Sequence, residues 1–119
     1  MRVAFIEHEG KQILLHDYRG AATEQELLAV LNEGPDALRR SAGGVLLLAD
    51  YTGIHVTGKY METVKSLGRE IIRDKAARTA VLGITGVKTI LLSGYVFFTG
   101  DQNTRAFDAE AEAKDWLVS

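Results

Sequence analysis

The stretch GGVLLLAD, residues 43–50, is the feature that most restricts how this chain can fold. Its apolar residues follow one another without the alternation of polar and apolar positions that a strand with one solvent-facing side shows. An uninterrupted apolar run of this length is typical of a strand that is covered on both faces, and such strands lie centrally in largely parallel sheets. The stretch therefore predicts an α/β domain with Asp50 at the carboxyl end of its central strand.

The rest of the chain alternates between patterns typical of strands and patterns typical of helices. Two short apolar runs flank Glu9-Gly10-Lys11 and predict a β-hairpin, because glycine supplies the positive φ that a tight turn needs. The predicted strands are 2–8, 12–18, 43–50, 79–85 and 103–108, and the predicted helices are 23–40, 58–75, 87–98 and a last one after Asp108. These elements predict a single domain, 1–119, with a mixed and mostly parallel sheet in the order β-β-α-β-α-β-α-β-α.

Local signals refine the helix boundaries. Thr23 and Glu26 stand three positions apart, as in a capping box, and mark the start of the first helix. Gly34-Pro35 interrupts the same helix, because proline donates no N–H and crowds the preceding turn, so a kink or a restarted helix is expected there. Asp108 is expected to cap the last helix. The residues of that helix expected to face inward are Ala113, Trp116 and Leu117.

Net charge and cysteine content exclude several function classes. A formal charge of -2 gives the chain no overall attraction for the phosphates of nucleic acids. The absence of cysteine excludes disulfides, thiolate metal sites and a cysteine nucleophile. The start of the chain lacks the apolar core of a signal peptide, and no apolar run approaches the ~20 residues that span a bilayer. We therefore expect a cytoplasmic protein that binds no nucleic acid and has no transmembrane segment.

Familiar catalytic and metal-binding patterns are missing from the sequence. The stretch GITGVKT, 83–89, resembles a phosphate-binding loop, but only two residues separate its glycines and Val87 stands between Gly86 and Lys88, so it is not a Walker A motif. No serine has the flanking glycines of a nucleophile elbow. The three histidines are scattered over two predicted strands and a turn, at His8, His16 and His55. We therefore predict no catalytic residue, no metal site and no cofactor.

Two corners of the predicted sheet suit an anion or a partner, since sites in open α/β sheets gather where strands end and helices begin. One is the turn after Asp50, and the other is formed by Thr85, Gly86 and Lys88. The 58–75 helix also carries a basic stripe, which is typical either of a solvated helix face or of a docking face for an acidic partner. Its residues are Lys65, Arg69 and Arg73, with Lys59, Lys75 and Arg78 nearby.

The turn after the central strand also carries a resemblance to a known family. GVLLLADYTG, 44–53, is a buried strand that ends in Asp-x-Thr-Gly. RAFDAEAEAKDWL, 105–117, is similar to a Phe-Asp plus Ala-x-x-Trp-Leu ending. In these features the chain resembles, over essentially its whole length, the STAS family, the sulfate transporter and anti-sigma-factor antagonist domains, and in particular its SpoIIAA-like branch.

The resemblance implies a STAS-like fold and a non-enzymatic regulatory domain that binds a protein partner. In regulatory STAS domains a partner kinase phosphorylates the second hydroxyl residue of an Asp-Ser-Ser-Gly motif, which falls on Thr52, while Tyr51 replaces the first serine. A phosphate there would add about -1.5 to -2 charges near a helix N-terminus and alter a docking surface without a large change of fold. The implied surface comprises Asp50, Tyr51, Thr52, Gly53, His55 and Lys59. Alternatively, Asp50 and Thr52 merely bond neighbouring backbone N–H groups in the turn.

Two further hypotheses stay open. STAS-like domains of this branch are similar in architecture to lipid-carrying CRAL-TRIO domains, which implies a carrier or sensor of an apolar, lipid-like molecule in a groove beside helix 87–98. If the other apolar residues of that helix pack inward, one flank suits a ligand groove or a homodimer interface, as an alternative to ordinary core burial. That flank consists of Leu92, Tyr95 and Val96. The hypothesis of an enzyme depends only on Asp50, Tyr51 and His55 lying close together at a sheet corner.

Overall fold

A computed structural model describes residues 2–84, 92, 94–96 and 103–119 of this chain. Within these ranges, five strands form one sheet in which the strands lie side by side in chain order. The strands are β1 (Val3–His8), β2 (Lys11–Asp17), β3 (Val45–Asp50), β4 (Ala76–Leu82) and β5 (Thr104–Phe107). The hairpin partners β1 and β2 are antiparallel, and every other neighbouring pair is parallel. The mixed, mostly parallel sheet and the central position of β3 are therefore confirmed.

The helices follow the predicted alternation with the strands. They are α1 (Glu24–Leu31), α2 (Glu33–Arg39), α3 (Gly58–Leu67), a π-helical stretch (Gly68–Ile72), the single turn α4 (Arg73–Lys75) and α5 (Glu110–Val118). Of the predicted helix 87–98, Leu92 and residues 94–96 are helical, and its other residues lie outside the described ranges. None of the helices in the described ranges combines the length and the apolar character that crossing a membrane requires.

The first predicted helix is confirmed as a restarted one. Thr23 caps α1, because its Oγ1 accepts a hydrogen bond from the N–H of Glu26 at 3.1 Å, while Glu26 Oε2 accepts from the N–H of Ala22 at 2.9 Å. The break falls at Asn32, ahead of Gly34, and α2 begins at once with Pro35 in its first turn. Proline is tolerated in the first turn because the N–H groups there have no intrahelical acceptor.

Two predicted details are wrong: the cap of the last helix and the start of the fourth strand. α5 begins at Glu110 after Ala109, with no side-chain cap, so Asp108 does not cap it.

β4 begins at Ala76, three residues before the predicted start, because Arg78 is accommodated within the strand. The guanidinium carbon of Arg78 lies 5.2 Å from the ring centre of Trp116, and its Nη1 donates to the carbonyl of Trp116 at 2.5 Å. A favourable cation–π contact of this kind allows a charged residue to extend a buried strand.

Both faces of the sheet are covered, as the unbroken apolar run of β3 requires. Parallel crossovers are right-handed, so connections that step across the sheet in one direction place α1, α2 and α3 on the same face. Ala49 and Val81 pack with α1 and α3, and Leu47 packs with Leu38 of α2. On the other face, Leu48 and Ala80 pack against Ala113 and Leu117 of α5. The four residues 47–50 of β3 are all buried.

Candidate functional site

The turn that follows Asp50 is anchored to both neighbours of the central strand. Asp50 stands opposite Asp17 at the end of β2 and Leu82 at the end of β4. The N–H of Tyr18 donates to the carbonyl of Asp50 at 3.0 Å, and the N–H of Tyr51 donates to the carbonyl of Leu82 at 2.9 Å. The turn therefore leaves the sheet from a fixed starting point at its carboxyl edge.

The carboxylate of Asp50 organises the turn. Although it is only 5% exposed, its Oδ1 accepts from the backbone N–H of Thr52 at 3.0 Å and from the Thr52 hydroxyl at 2.6 Å. Its Oδ2 lies 3.4 Å from Nε of Arg19. A side chain that bonds the backbone two residues on is a common stabiliser of turns. The result is an exposed Thr52 whose hydroxyl is held in one direction.

Arg19 brings a positive charge to this edge of the sheet. Its Nε and Nη2 donate to the two carboxylate oxygens of Asp17 at 2.9 and 3.0 Å. This hydrogen-bonded pair lowers the pKa of Asp17 below its ordinary value. Because Arg19 is exposed, the pair contributes little to stability. Its effect is instead to fix a guanidinium beside Asp50.

The predicted surface residues divide into an exposed group and a supporting group. Thr52, Gly53, His55 and Lys59 are exposed, whereas Asp50 and Tyr51 are buried beneath them. A cleft of about 240 Å³ runs from the turn to the start of α1. It is lined by Ala21, Ala22, Thr23, Glu24, Leu27, Gly53, His55 and Thr57. The exposed part of the turn thus borders a concave surface.

The helix that follows the turn begins too far from Thr52 for a phosphate on that residue to cap it directly. α3 begins at Gly58, and its cap is Thr57, whose Oγ1 accepts from the N–H of Tyr60 at 3.1 Å. The same hydroxyl donates to Oε1 of Glu24 at 2.5 Å. The start of α3 is therefore already capped by its own side chain.

A cluster of buried aromatic side chains lies directly under the turn. The rings of Tyr18 and Tyr51 are stacked with centroids 4.1 Å apart, and the hydroxyls of Tyr51 and Tyr60 are 2.8 Å apart. Burial raises the pKa of all three tyrosines above the ordinary value, so they stay protonated. This cluster is not among the sequence-based predictions. The spacing of His16 and Tyr18 could have indicated part of it, since residues two apart on a strand share a face.

His16 extends the cluster and is held in a single tautomer. Its Nε2 lies 2.6 Å from the carbonyl oxygen of Val30, which can only accept, so Nε2 carries the proton. The hydroxyl of Tyr18 therefore donates to Nδ1 at 3.0 Å. Burial lowers the pKa of His16, with smaller opposing effects from Val30, Glu33 and Asp17. The imidazole is neutral in the folded protein.

Stability is expected to fall as the pH is lowered below the ordinary histidine value of 6.5. The unfolded chain gains a proton on His16 in that range while the folded protein resists it, so the free energy of unfolding falls by at most about 1.4 kcal/mol per pH unit. Urea titrations between pH 7.5 and 5.5 measure this fall. His16→Gln is expected to flatten it, and His55→Gln, in the exposed turn, is expected to keep it. An equal slope in wild type and His16→Gln would contradict this assignment.

The residues of the predicted apolar flank lie toward the interior. Tyr95 is buried, and Leu92 and Val96 are half-buried; all three pack with the helices that cover the sheet. The predicted anion corner, Thr85, Gly86 and Lys88, lies outside the described residues. In the basic stripe, Nζ of Lys65 lies 3.4 Å from Oε1 of Glu62, and Arg69 is exposed. The side chain of Arg73 lies outside the described part of the chain.

One group of potential metal ligands is present among the described residues. It consists of His8, Glu9 and Asp115, whose ligand atoms lie within 4.8 Å of one another. His8 and Asp115 already share a hydrogen bond of 2.8 Å. The group lies at the hairpin between β1 and β2, which is the sheet edge opposite to Asp50. It is therefore separate from the turn.

No protein-family model matches this chain, and no curated protein or solved structure matches it either. The resemblance to STAS domains thus depends on the sequence motifs and stays a prediction. The described residues form a single α/β domain with a mostly parallel five-stranded sheet.

Proposed function

We propose that this chain is a non-enzymatic regulatory domain that docks a protein partner through the surface from Asp50 to Lys59, and that phosphorylation of Thr52 switches the docking. The observation that carries the proposal is the position of the Thr52 hydroxyl. Thr52 is an exposed residue at the carboxyl end of the central strand, and its hydroxyl donates to Oδ1 of Asp50 at 2.6 Å. A kinase can reach an exposed hydroxyl without unfolding the domain, and a partner can read the same turn.

The proposed switch acts through local charge. A phosphate adds about -1.5 to -2 charges, and on Thr52 it would replace the hydroxyl hydrogen that Asp50 now accepts. The phosphate and the buried carboxylate of Asp50 then repel each other, which favours an altered turn. Arg19 is placed to compensate, because its Nε lies 3.4 Å from Asp50 Oδ2, but it would have to loosen its contact with Asp17. The docking surface changes while the sheet below it stays intact.

The geometry of Tyr51 disfavours a catalytic role for the same turn. Its hydroxyl points into the core, where it lies 2.8 Å from the hydroxyl of Tyr60. Asp50 is already engaged by Thr52 and Arg19. A general acid or base has to be within hydrogen-bond reach of its substrate. The set of Asp50, Tyr51 and His55 therefore favours a docking turn over an active site.

Affinity capture from the native cells tests the proposal with two variants of one residue. Thr52→Asp places a negative charge at the turn, and Thr52→Ala removes the hydroxyl that a kinase would modify. A specific partner of wild type is expected to lose about tenfold in affinity for one of the two variants, which corresponds to about 1.4 kcal/mol. Quantitative mass spectrometry of the captured proteins measures the change.

The matched control is Thr63, which is exposed on α3. Thr63→Asp and Thr63→Ala make the same chemical changes away from the turn and are expected to leave capture unchanged. If both Thr52 variants captured every partner as wild type does, the proposal would be wrong. Phosphopeptide analysis of the purified native protein provides a second readout, in which the expected modified residue is Thr52.

A further inference from the structure

A cavity of about 80 Å³ lies between the sheet and the helices that cover it. Its floor is formed by residues of β3 and β4 that face the helices, among them Ala49 and Val81. Its walls include Met61 and Val64 of α3 together with Leu92. Protein interiors are close-packed and contain few voids larger than a water molecule. A space of this size therefore needs an explanation.

The lining of this cavity selects against polar and charged molecules. None of the described residues that line it carries a formal charge, since His16 is neutral. The polar groups at one end already have partners, because His16 bonds Val30 and Tyr18, and Tyr51 bonds Tyr60. Among the described residues, no buried side-chain nitrogen or oxygen lacks a hydrogen-bond partner. A water molecule or a polar ligand would find few free groups to bond, and buried water usually makes two to four such bonds.

The volume limits the ligand to a small one. Room for one water takes roughly 10–15 Å³ on this measure, so the cavity is several times larger than a water site. An apolar cavity of about 150 Å³ in another protein takes up one benzene ring. A cavity of about 80 Å³ fits at most one small ring, and its volume is too small for a lipid chain. The aromatic walls, Tyr51 and Tyr95, suit a ring that packs edge to face.

We infer that this cavity is a binding site for a small, uncharged, apolar molecule of about the size of a single benzene ring. The site differs from a lipid-like groove on the flank of helix 87–98, because it lies between the sheet and the helices and Leu92 is one of its walls. The inference goes beyond the docking function proposed above and does not depend on it, since Thr52 takes no part in the cavity.

Benzene is the probe that tests this inference, and benzoate, the same ring with a charge, is its matched counterpart. Near its solubility limit, benzene is expected to raise the Tm of wild type by about 2–5 °C and to shift the amide NMR signals of Ala49 and Val81. Benzoate at the same concentration is expected to do neither. Absence of any response to benzene, or an equal response to benzoate, would overturn the inference.

A cavity-filling variant locates the site. Ala49→Leu adds three carbon atoms to the floor and is expected to raise the Tm by about 2–4 °C without ligand and to abolish the response to benzene. Ala106→Leu adds the same atoms at an exposed position of β5 and is expected to respond like wild type. An Ala49→Leu protein that still responds to benzene as wild type does would show that benzene binds elsewhere. If Ala49→Leu does not fold, Val64→Phe, which fills the cavity from α3, takes its place. Its response to benzene is then compared with that of wild type in the same way.

Discussion

Replacing Gly83 with alanine is expected to lower the free energy of unfolding by about 3–4 kcal/mol. Gly83 follows β4 with a φ of +81°, which an alanine adopts at a cost of about 1–2 kcal/mol. An added Cβ would also lie 2.5 Å from the backbone nitrogen of Thr52 and 2.6 Å from its Cα. Backbone atoms cannot rotate away as a side chain can, so the turn that displays Thr52 has to move. Urea denaturation gives the loss, and NMR shifts of Thr52 report the displacement.

Gly53 supplies the matched control for that substitution. Its φ of +76° is nearly the same, but no atom lies within 4 Å of its would-be Cβ. Gly53→Ala therefore carries only the conformational strain and is expected to lose about 1–2 kcal/mol. The difference between the two variants measures how tightly the end of β4 packs on the turn. Equal losses would show that the contact between Gly83 and Thr52 does not constrain the turn.

Replacing Gly34 with alanine is expected to lower the free energy of unfolding by about 2–3 kcal/mol, although alanine is the better helix former. Gly34 lies in the first turn of α2 against the ring of His16, and an added Cβ would lie 2.6 Å from Cε1 and 2.7 Å from Nδ1. The ring has no free direction to move, because Val30 holds one nitrogen and Tyr18 the other. The variant must therefore lose one of these hydrogen bonds or displace α2.

A double-mutant cycle separates this clash from other effects of the substitution. In a His16→Ala background the ring is gone, and Gly34→Ala is expected to be neutral or slightly stabilising, as the helix propensities alone predict. Gly58→Ala, at the first residue of α3 with nothing within 4 Å of its would-be Cβ, is expected to behave in the same way in wild type. An unchanged cost of Gly34→Ala without the His16 ring would refute the contact. Gly34→Ala, His16→Ala, the double variant and Gly58→Ala are all measured by urea denaturation.

The sequence was sufficient for the sheet because the relevant signals are local. The apolar run of β3 reports burial on both faces, and the glycine of the first hairpin reports a turn, since Glu9 and Gly10 both have positive φ. Those two patterns fix one central strand and one antiparallel pair. The position of Thr52 then follows, because a turn after a central strand must leave the carboxyl edge of the sheet.

The features that the sequence did not predict depend on contacts between distant residues. The sequence connects Gly34 with its neighbour Pro35, whereas its close contact is His16, eighteen positions earlier. The sequence predicts Tyr51 on a surface, yet its ring stacks on Tyr18 in the core. The predicted strand 79–85 omits Arg78, whose partner, Trp116, belongs to the last helix. Local periodicity contains no information about such pairs.

Tyr51 connects the exterior of this protein to its interior. Its main chain belongs to the turn proposed to meet a partner, and its ring is a wall of the cavity. A partner that changed the conformation of the turn would also displace an aromatic ring that packs in the core. The affinity for the partner is therefore coupled to the packing of the core. Substitutions of buried residues that contact no partner, such as Tyr18 or Tyr60, would then change the affinity for the partner.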